Sequence, residues 1–162
     1  MFLLSGGLSF FYVWKVPLLR GKNLRDLPGV KIYLIALVWV LICILMPKVI
    51  KSGFENLEPV LIMLTAFFIF IVSITIPFDI RDVSLDDVSK KTIPQLIGVN
   101  AAVYLSIGLL VLSQVLLQLL IPFNLGIWMF TLIGAFALYQ SKFKQPELFF
   151  SGIIDGLFMM QI

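Results

Sequence analysis

Residues 59–78 read PVLIMLTAFFIFIVSITIPF, a run of twenty residues that contains no charged side chain. About twenty apolar residues form a helix that is long enough to cross the hydrocarbon core of a bilayer. Such a run is uncommon in a soluble domain, because a soluble domain needs a polar surface as well as an apolar core. The run therefore predicts a membrane-spanning helix, and it decides the fold class.

Comparable apolar runs fill most of the remaining chain. Hydrophobic residues make up 60% of the sequence and charged residues 13%, with a mean hydropathy of +1.08. Charges are excluded from spans because an unpaired charge in hydrocarbon costs about 3 kcal/mol or more. We predict an all-α, multi-span transmembrane helical bundle forming a single domain over residues 1–162. Its six segments are 1–14 (too short for a full crossing), 32–50, 59–78, 99–121, 123–140 and 146–162.

The basic residues predict how this bundle is oriented. Ten of the twelve lysines and arginines fall in the first, third and fifth connections, and only two fall in the second. Connections rich in Lys and Arg lie on the cytoplasmic side of a membrane. We expect a multi-pass protein of a bacterial inner membrane with the third connection in the cytoplasm. The net charge of +3 then marks orientation, and we expect no nucleic-acid partner.

Residue types that are missing limit the chemistry. The sequence has no histidine, which removes the commonest general base and transition-metal ligand. Its single cysteine, Cys43, lies in an apolar run, so the sequence offers neither a disulfide framework nor a cysteine-based metal site. Any chemistry must use carboxylates, lysines, arginines and a hard cation.

The third connection, residues 77–94, is the main chemical feature, and we call it the acidic segment. Four of the six aspartates lie within nine residues of it. If the preceding helix continues, Asp79, Asp82 and Asp86 fall within an arc of about 60°, with Lys90 following on that face. Carboxylates on one face repel one another unless a cation neutralises them, and oxygen ligands favour Mg²⁺ or Ca²⁺. The alternative is a solvated loop whose charges mark the membrane interface.

The pattern Asp79-x-x-Asp82-x-x-x-Asp86, followed by Lys91-Thr92-Ile93-Pro94, resembles the second aspartate motif of the UbiA superfamily of intramembrane prenyltransferases. The stretch 24–31, LRDLPGVK, resembles the start of the fifth helix of that family. The six segments would then correspond to the last six helices of the nine-helix UbiA fold.

The resemblance implies an activity. UbiA-type enzymes transfer a polyprenyl group from a polyprenyl diphosphate to a small acceptor, often an aromatic ring, with Mg²⁺ held by aspartates. Carried over by position, the metal ligands would be Asp79, Asp82 and Asp86. Cations that would contact the diphosphate are Lys31, Arg81, Lys90 and Lys91.

The family's first aspartate motif, of the type N-x-x-x-D, has no counterpart in this sequence, because Asn23 and Asp26 have the wrong spacing. We expect a prenyltransferase domain that is incomplete at its N-terminus and inactive by itself. A fragment, a truncated relative and a half that pairs with a partner chain all remain open. The rival hypothesis is a non-catalytic membrane scaffold or subunit that keeps the fold.

Polar residues within the predicted spans add weaker signals. Asp155 lies in the last span, where an acid either pairs with another helix or faces a wet cavity. Gln114 and Gln118 lie one turn apart, and we expect both to form hydrogen bonds across a helix interface.

Overall fold

A computed structural model describes residues 30–52, 57–84 and 91–161. Within these ranges every regular element is a helix, which confirms the predicted all-α fold class. We number the helices α1 to α6 in chain order. The predicted first segment, residues 1–14, lies outside the described residues.

Helix α1 contains an irregular turn just before a proline. Its α-helical parts, Val30–Val40 and Met46–Ser52, are joined by the π-helical turn Leu41–Leu45. The N–H of Met46 donates to the carbonyl of Leu41, five residues back. Pro47 follows and has no N–H to continue a regular ladder, so the wider turn occurs where that ladder is interrupted.

Helix α2, Leu57–Asp82, continues through Pro77 and ends one turn beyond the predicted end at Phe78. The proline leaves the carbonyl of Ser73 without its usual intrahelical N–H. The hydroxyl of Ser106, on α4, donates to that carbonyl at 2.8 Å. In return, the Ser73 hydroxyl donates to the Ser106 carbonyl at 2.8 Å. The helix tolerates Pro77 because a neighbouring helix supplies the missing donor.

The second half of the chain forms four further helices. Gly98 separates α3 from α4 with a φ of 85°, a conformation that side chains with a Cβ rarely adopt. Asn124 caps α5, since its side-chain oxygen accepts from the N–H of Gly126 at 2.8 Å. The bounds are Ile93–Ile97 for α3, Val99–Gln118 for α4, Leu125–Gln140 for α5, and the π-helical Phe149–Ile154 followed by Asp155–Gln161 for α6.

Helix α2 lies at the centre of the bundle, and its most extensive contact is with the antiparallel α4. Helices α4, α5 and α6 meet at Gly134 of α5. A Cβ at this position would lie 2.9 Å from Leu110 Cδ2 and 3.8 Å from Leu157. A larger residue here would displace the Leu110 side chain, so glycine favours the close approach of the three helices.

Three described helices are long and apolar enough to span a membrane: Val30–Lys51, Glu58–Asp82 and Val99–Gln118. Helices α5 and α6 are apolar but shorter than the predicted spans at 123–140 and 146–162. The length and apolar composition of these three helices support the prediction that the chain is a membrane protein.

The bundle interior contains neutral polar groups that bond to one another. Besides the Ser73–Ser106 pair, the buried Gln114 side-chain amide donates to Gln161 Oε1 of α6 at 3.3 Å. We call these four residues the polar seam.

Two predictions about polar residues have different outcomes. Gln114 does bond across a helix interface, but Gln118 donates instead to the carbonyl of Pro122 at 3.0 Å and holds the α4–α5 turn. The prediction for Gln118 was wrong because the chain reverses within its reach. Asp155 is exposed on the surface of α6.

Candidate functional site

The last turn of α2 carries the described part of the acidic segment. Asp79 and Asp82 are three residues apart on this helix and so lie on the same side of it. Asp79 is buried, with 6% of its surface exposed, whereas Asp82 is half-buried. The helix ends at Asp82 and residues 83–84 form a turn, while Asp86 lies outside the described residues. The continuous helical face predicted through Asp86 is thus present as far as Asp82.

Arg81 is fixed in position by a carboxylate and two aromatic rings. Its Nε donates to Asp82 Oδ1 at 2.7 Å, and one terminal nitrogen donates to Oδ2 at 3.1 Å. The guanidinium carbon lies 5.6 Å from the ring centre of Phe78 and 5.3 Å from that of Phe150. A guanidinium on ring faces is favoured electrostatically. Arg81 therefore joins the end of α2 to the start of α6.

This pairing bears on the predicted metal site. Within the described ranges, no group of three or more His, Cys, Asp or Glu residues is placed to hold a metal ion. Both carboxylate oxygens of Asp82 accept hydrogen bonds from Arg81. Each of these oxygens keeps a second lone pair, so the pairing with Arg81 does not decide whether Asp82 is a metal ligand. The contribution of Asp86 remains a prediction.

Three of the four cations predicted to contact a diphosphate, Lys31, Arg81 and Lys91, lie in the described part of the chain. Lys31 is exposed in the first turn of α1. Lys91 is exposed just before α3, with a φ of 45°. Lys90 lies outside the described residues. Of the three described cations, Arg81 alone lines the cavity next to the acidic helix end.

That cavity has a volume of about 490 Å³ and lies between the end of α2, the start of α4 and the α5–α6 connection. We call it the basic cavity, because three cationic side chains line it. Its lining consists of Ile80, Arg81, Val83, Ser84, Val99, Ser141, Lys142, Phe143, Lys144, Gln145 and Phe150.

Two of its cations come from the α5–α6 connection. The ammonium of Lys142 donates to the hydroxyl of Tyr139 at 2.9 Å and lies 4.3 Å from that ring's centre. It also lies 5.0 Å from the ring centre of Phe143. Lys144 forms neither a hydrogen bond nor an ion pair with any other described residue. One lysine is therefore held in place, and the other is available.

Lys142 and Lys144 were not among the predicted site residues. They were counted only among the basic residues that predict orientation, together with Arg81 of the third connection. The cavity confirms that the third and fifth connections meet at one end of the bundle. Their shared face was the signal that could have placed these lysines beside Arg81.

The end of α2 thus combines two carboxylates, a fixed guanidinium and an adjoining cavity lined by two further cations. This arrangement is suited to binding an anion at the end of an apolar bundle. Comparison with known proteins gives no further assignment. No family model, curated protein or solved structure matches the chain.

Proposed function

We propose that this chain forms part of a prenyltransferase site of the UbiA kind, which binds a polyprenyl diphosphate and transfers its prenyl group to a small, often aromatic, acceptor. The observation that carries the proposal is the placement of Asp79 and Asp82 on one side of the last turn of a membrane-length helix. The sequence pattern that continues to Asp86 supports it.

Arg81 is the described residue best suited to contact a diphosphate. Two of its five N–H groups bond to Asp82, which leaves three for a phosphate oxygen. A guanidinium stabilises the negative charge that develops on a departing diphosphate. The apolar faces of the neighbouring helices would accommodate the isoprenoid chain.

The remaining parts of the proposal rest on the resemblance. Mg²⁺ would require Asp86 together with the described aspartates. The family's first aspartate motif, which this sequence does not contain, would come from another segment or a partner chain. The excess of Lys and Arg on one face would place the acidic segment in the cytoplasm of a bacterial inner membrane.

The test is binding of geranyl diphosphate to the purified full chain in detergent, with and without Mg²⁺. We expect saturable, Mg²⁺-dependent binding that the double substitution Asp82→Asn/Asp86→Asn abolishes. Asp155→Asn is the matched control, because it removes an aspartate from an apolar helix elsewhere and should leave binding intact. The proposal would be refuted if the folded protein does not bind geranyl diphosphate, or if the double substitution leaves binding unchanged.

The rival function is that of a non-catalytic scaffold or subunit, and the Arg81–Asp82 pair favours it. Here the carboxylate that the resemblance assigns to a metal is already neutralised within the chain. Under this hypothesis Asp82→Asn lowers the stability of the protein without affecting any ligand. Comparing thermal unfolding with geranyl diphosphate binding for this single variant separates the two functions.

A further inference from the structure

We propose that the basic cavity binds the phosphate of an anionic phospholipid headgroup. The basic cavity shares Arg81 with the proposed prenyltransferase site, whereas Lys142 and Lys144 take no part in that site. The test therefore substitutes only the two lysines, so that loss of lipid binding is distinguishable from loss of geranyl diphosphate binding.

The cavity carries an excess of positive charge. Arg81, Lys142 and Lys144 line it. Two carboxylates, Asp82 and Glu147, interact electrostatically with Arg81. The two lysines therefore supply the excess positive charge, and an anion that enters the cavity meets Lys144 without displacing a described carboxylate from it.

The cavity lining also retains hydrogen-bond donors that no group of the protein uses. Arg81 keeps three N–H groups. One of the two N–H groups of the Gln145 amide bonds to the Gln140 carbonyl, at 3.2 Å, which leaves the other. Ser141, in contrast, is buried and donates to the Leu138 carbonyl at 2.6 Å, so its hydroxyl proton is already used. Unused donors of Arg81 and Gln145 thus remain for the oxygens of a phosphate.

The apolar part of the lining indicates which kind of phosphate is bound. Apolar side chains come from three helices, the turn after α2 and the α5–α6 connection: Ile80, Val83, Val99, Phe143 and Phe150. The cavity lies at the end of two membrane-length helices, where lipid headgroups meet the protein. Basic pockets between transmembrane helices bind anionic headgroups there. Free phosphate would gain nothing from the apolar part of the lining, whereas the first methylene groups of the acyl chains of a lipid would cover it.

The experiment compares binding of fluorescent phosphatidylglycerol to the full chain in phosphatidylcholine nanodiscs. The test variant is Lys142→Gln/Lys144→Gln. The control is Lys48→Gln/Lys51→Gln, which removes the same charge from the end of α1, outside the cavity. We expect the test variant to bind about thirtyfold more weakly and the control to bind as the wild type does. The conservative variant Lys142→Arg/Lys144→Arg should keep most of the affinity, which shows that charge rather than folding is responsible.

Two outcomes would overturn the proposal. Equal weakening by both glutamine pairs would mean that lipid binding follows the overall charge and not the cavity. Inorganic phosphate and soluble short-chain phosphatidylglycerol are added as competitors at the same concentration. If inorganic phosphate displaces the fluorescent lipid as well as the short-chain lipid does, the cavity is a free-phosphate site. Binding that the test pair selectively weakens, and that free phosphate does not displace, supports the headgroup site.

Discussion

The polar seam and the basic cavity both contain polar side chains, yet they differ in whether the hydrogen-bond donors already have partners within the chain. In the seam, the Ser73 and Ser106 hydroxyls bond to each other's backbone carbonyls at 2.8 Å. In the cavity, Lys144 has no partner among the described residues, and Arg81 keeps three N–H groups. The seam uses its donors within the chain, whereas the cavity retains donors for a ligand.

The physical reason is the medium around each region. An unsatisfied polar group in the bundle interior costs several kcal/mol, about the value for transfer to hydrocarbon. Groups at the bundle end reach water or lipid headgroups and bear no such cost. The difference predicts that interior substitutions change stability and that cavity substitutions change binding. Four experiments test this separation.

The largest effect should come from breaking the interior at Gly134. A leucine here would push against Leu110 and Leu157 and separate three helices, because a Cβ alone would already lie 2.9 Å from Leu110. We expect Gly134→Leu to lower the free energy of unfolding by about 3 kcal/mol. This loss is measured by titrating the detergent-solubilised protein with SDS and monitoring unfolding by circular dichroism. Gly108→Leu is the control, since a Cβ there has no neighbour within 4 Å among the described atoms, and an equal loss would contradict the packing argument.

The next effect is removal of the hydroxyls from the seam. Ser73→Ala/Ser106→Ala leaves the carbonyl that Pro77 orphans without a donor. We expect a loss of about 1–2 kcal/mol in the same unfolding assay. Thr75→Ala is matched to it, because the Thr75 hydroxyl bonds only to carbonyls of its own helix. A loss at Thr75 as large as that in the double variant would show that the Ser73–Ser106 contact has no special role.

Arg81 lines the cavity but also contacts Asp82, Phe78 and Phe150, and its substitution should have a smaller effect on stability than the serine pair. Arg81→Gln removes the ion pair with Asp82 and the contacts with the rings of Phe78 and Phe150. The pair is partly exposed and screened by solvent, so we expect a loss of about 1 kcal/mol or less. Added salt should reduce the difference between variant and wild type, since screening weakens the pair in the wild type alone. If salt does not change this difference in unfolding free energy, the loss comes from the packing of the Arg81 side chain and not from the ion pair.

The smallest effect on stability is expected at the cavity lysines. We expect Lys142→Gln/Lys144→Gln to change the free energy of unfolding by less than about 0.5 kcal/mol. Lys144 has no described partner to lose, and Lys142 loses contacts with Tyr139 and Phe143 at the surface. A stability loss comparable to that of the serine pair would remove the distinction between the two regions.

The sequence predicted the helices better than it predicted their contacts. The runs at 32–50, 59–78 and 99–121 correspond to helices Val30–Lys51, Glu58–Asp82 and Val99–Gln118. Run length and absence of charge suffice for this, because the bilayer imposes both. The predicted span ended at Phe78, but the helix continues through Pro77 to Asp82. The donor that lets the helix continue is Ser106, about thirty residues further along the chain.

The site shows the same division. Sequence spacing placed Asp79 and Asp82 on one side of a helix, and the structure agrees. It could not show that Arg81 engages both oxygens of Asp82, because the choice among neighbouring carboxylates depends on side-chain geometry. The assignments of a metal and a diphosphate remain predictions from the resemblance.

By itself the sequence determined the membrane-length helices and the basic face of the bundle, because hydropathy and charge respond to the solvent at each position and need no knowledge of neighbours. Tertiary structure alone decided that Ser106 satisfies the carbonyl left by Pro77, and that Lys142 and Lys144 share a cavity with Arg81. These contacts join residues that are distant along the chain, and they exist only once the helices have packed together.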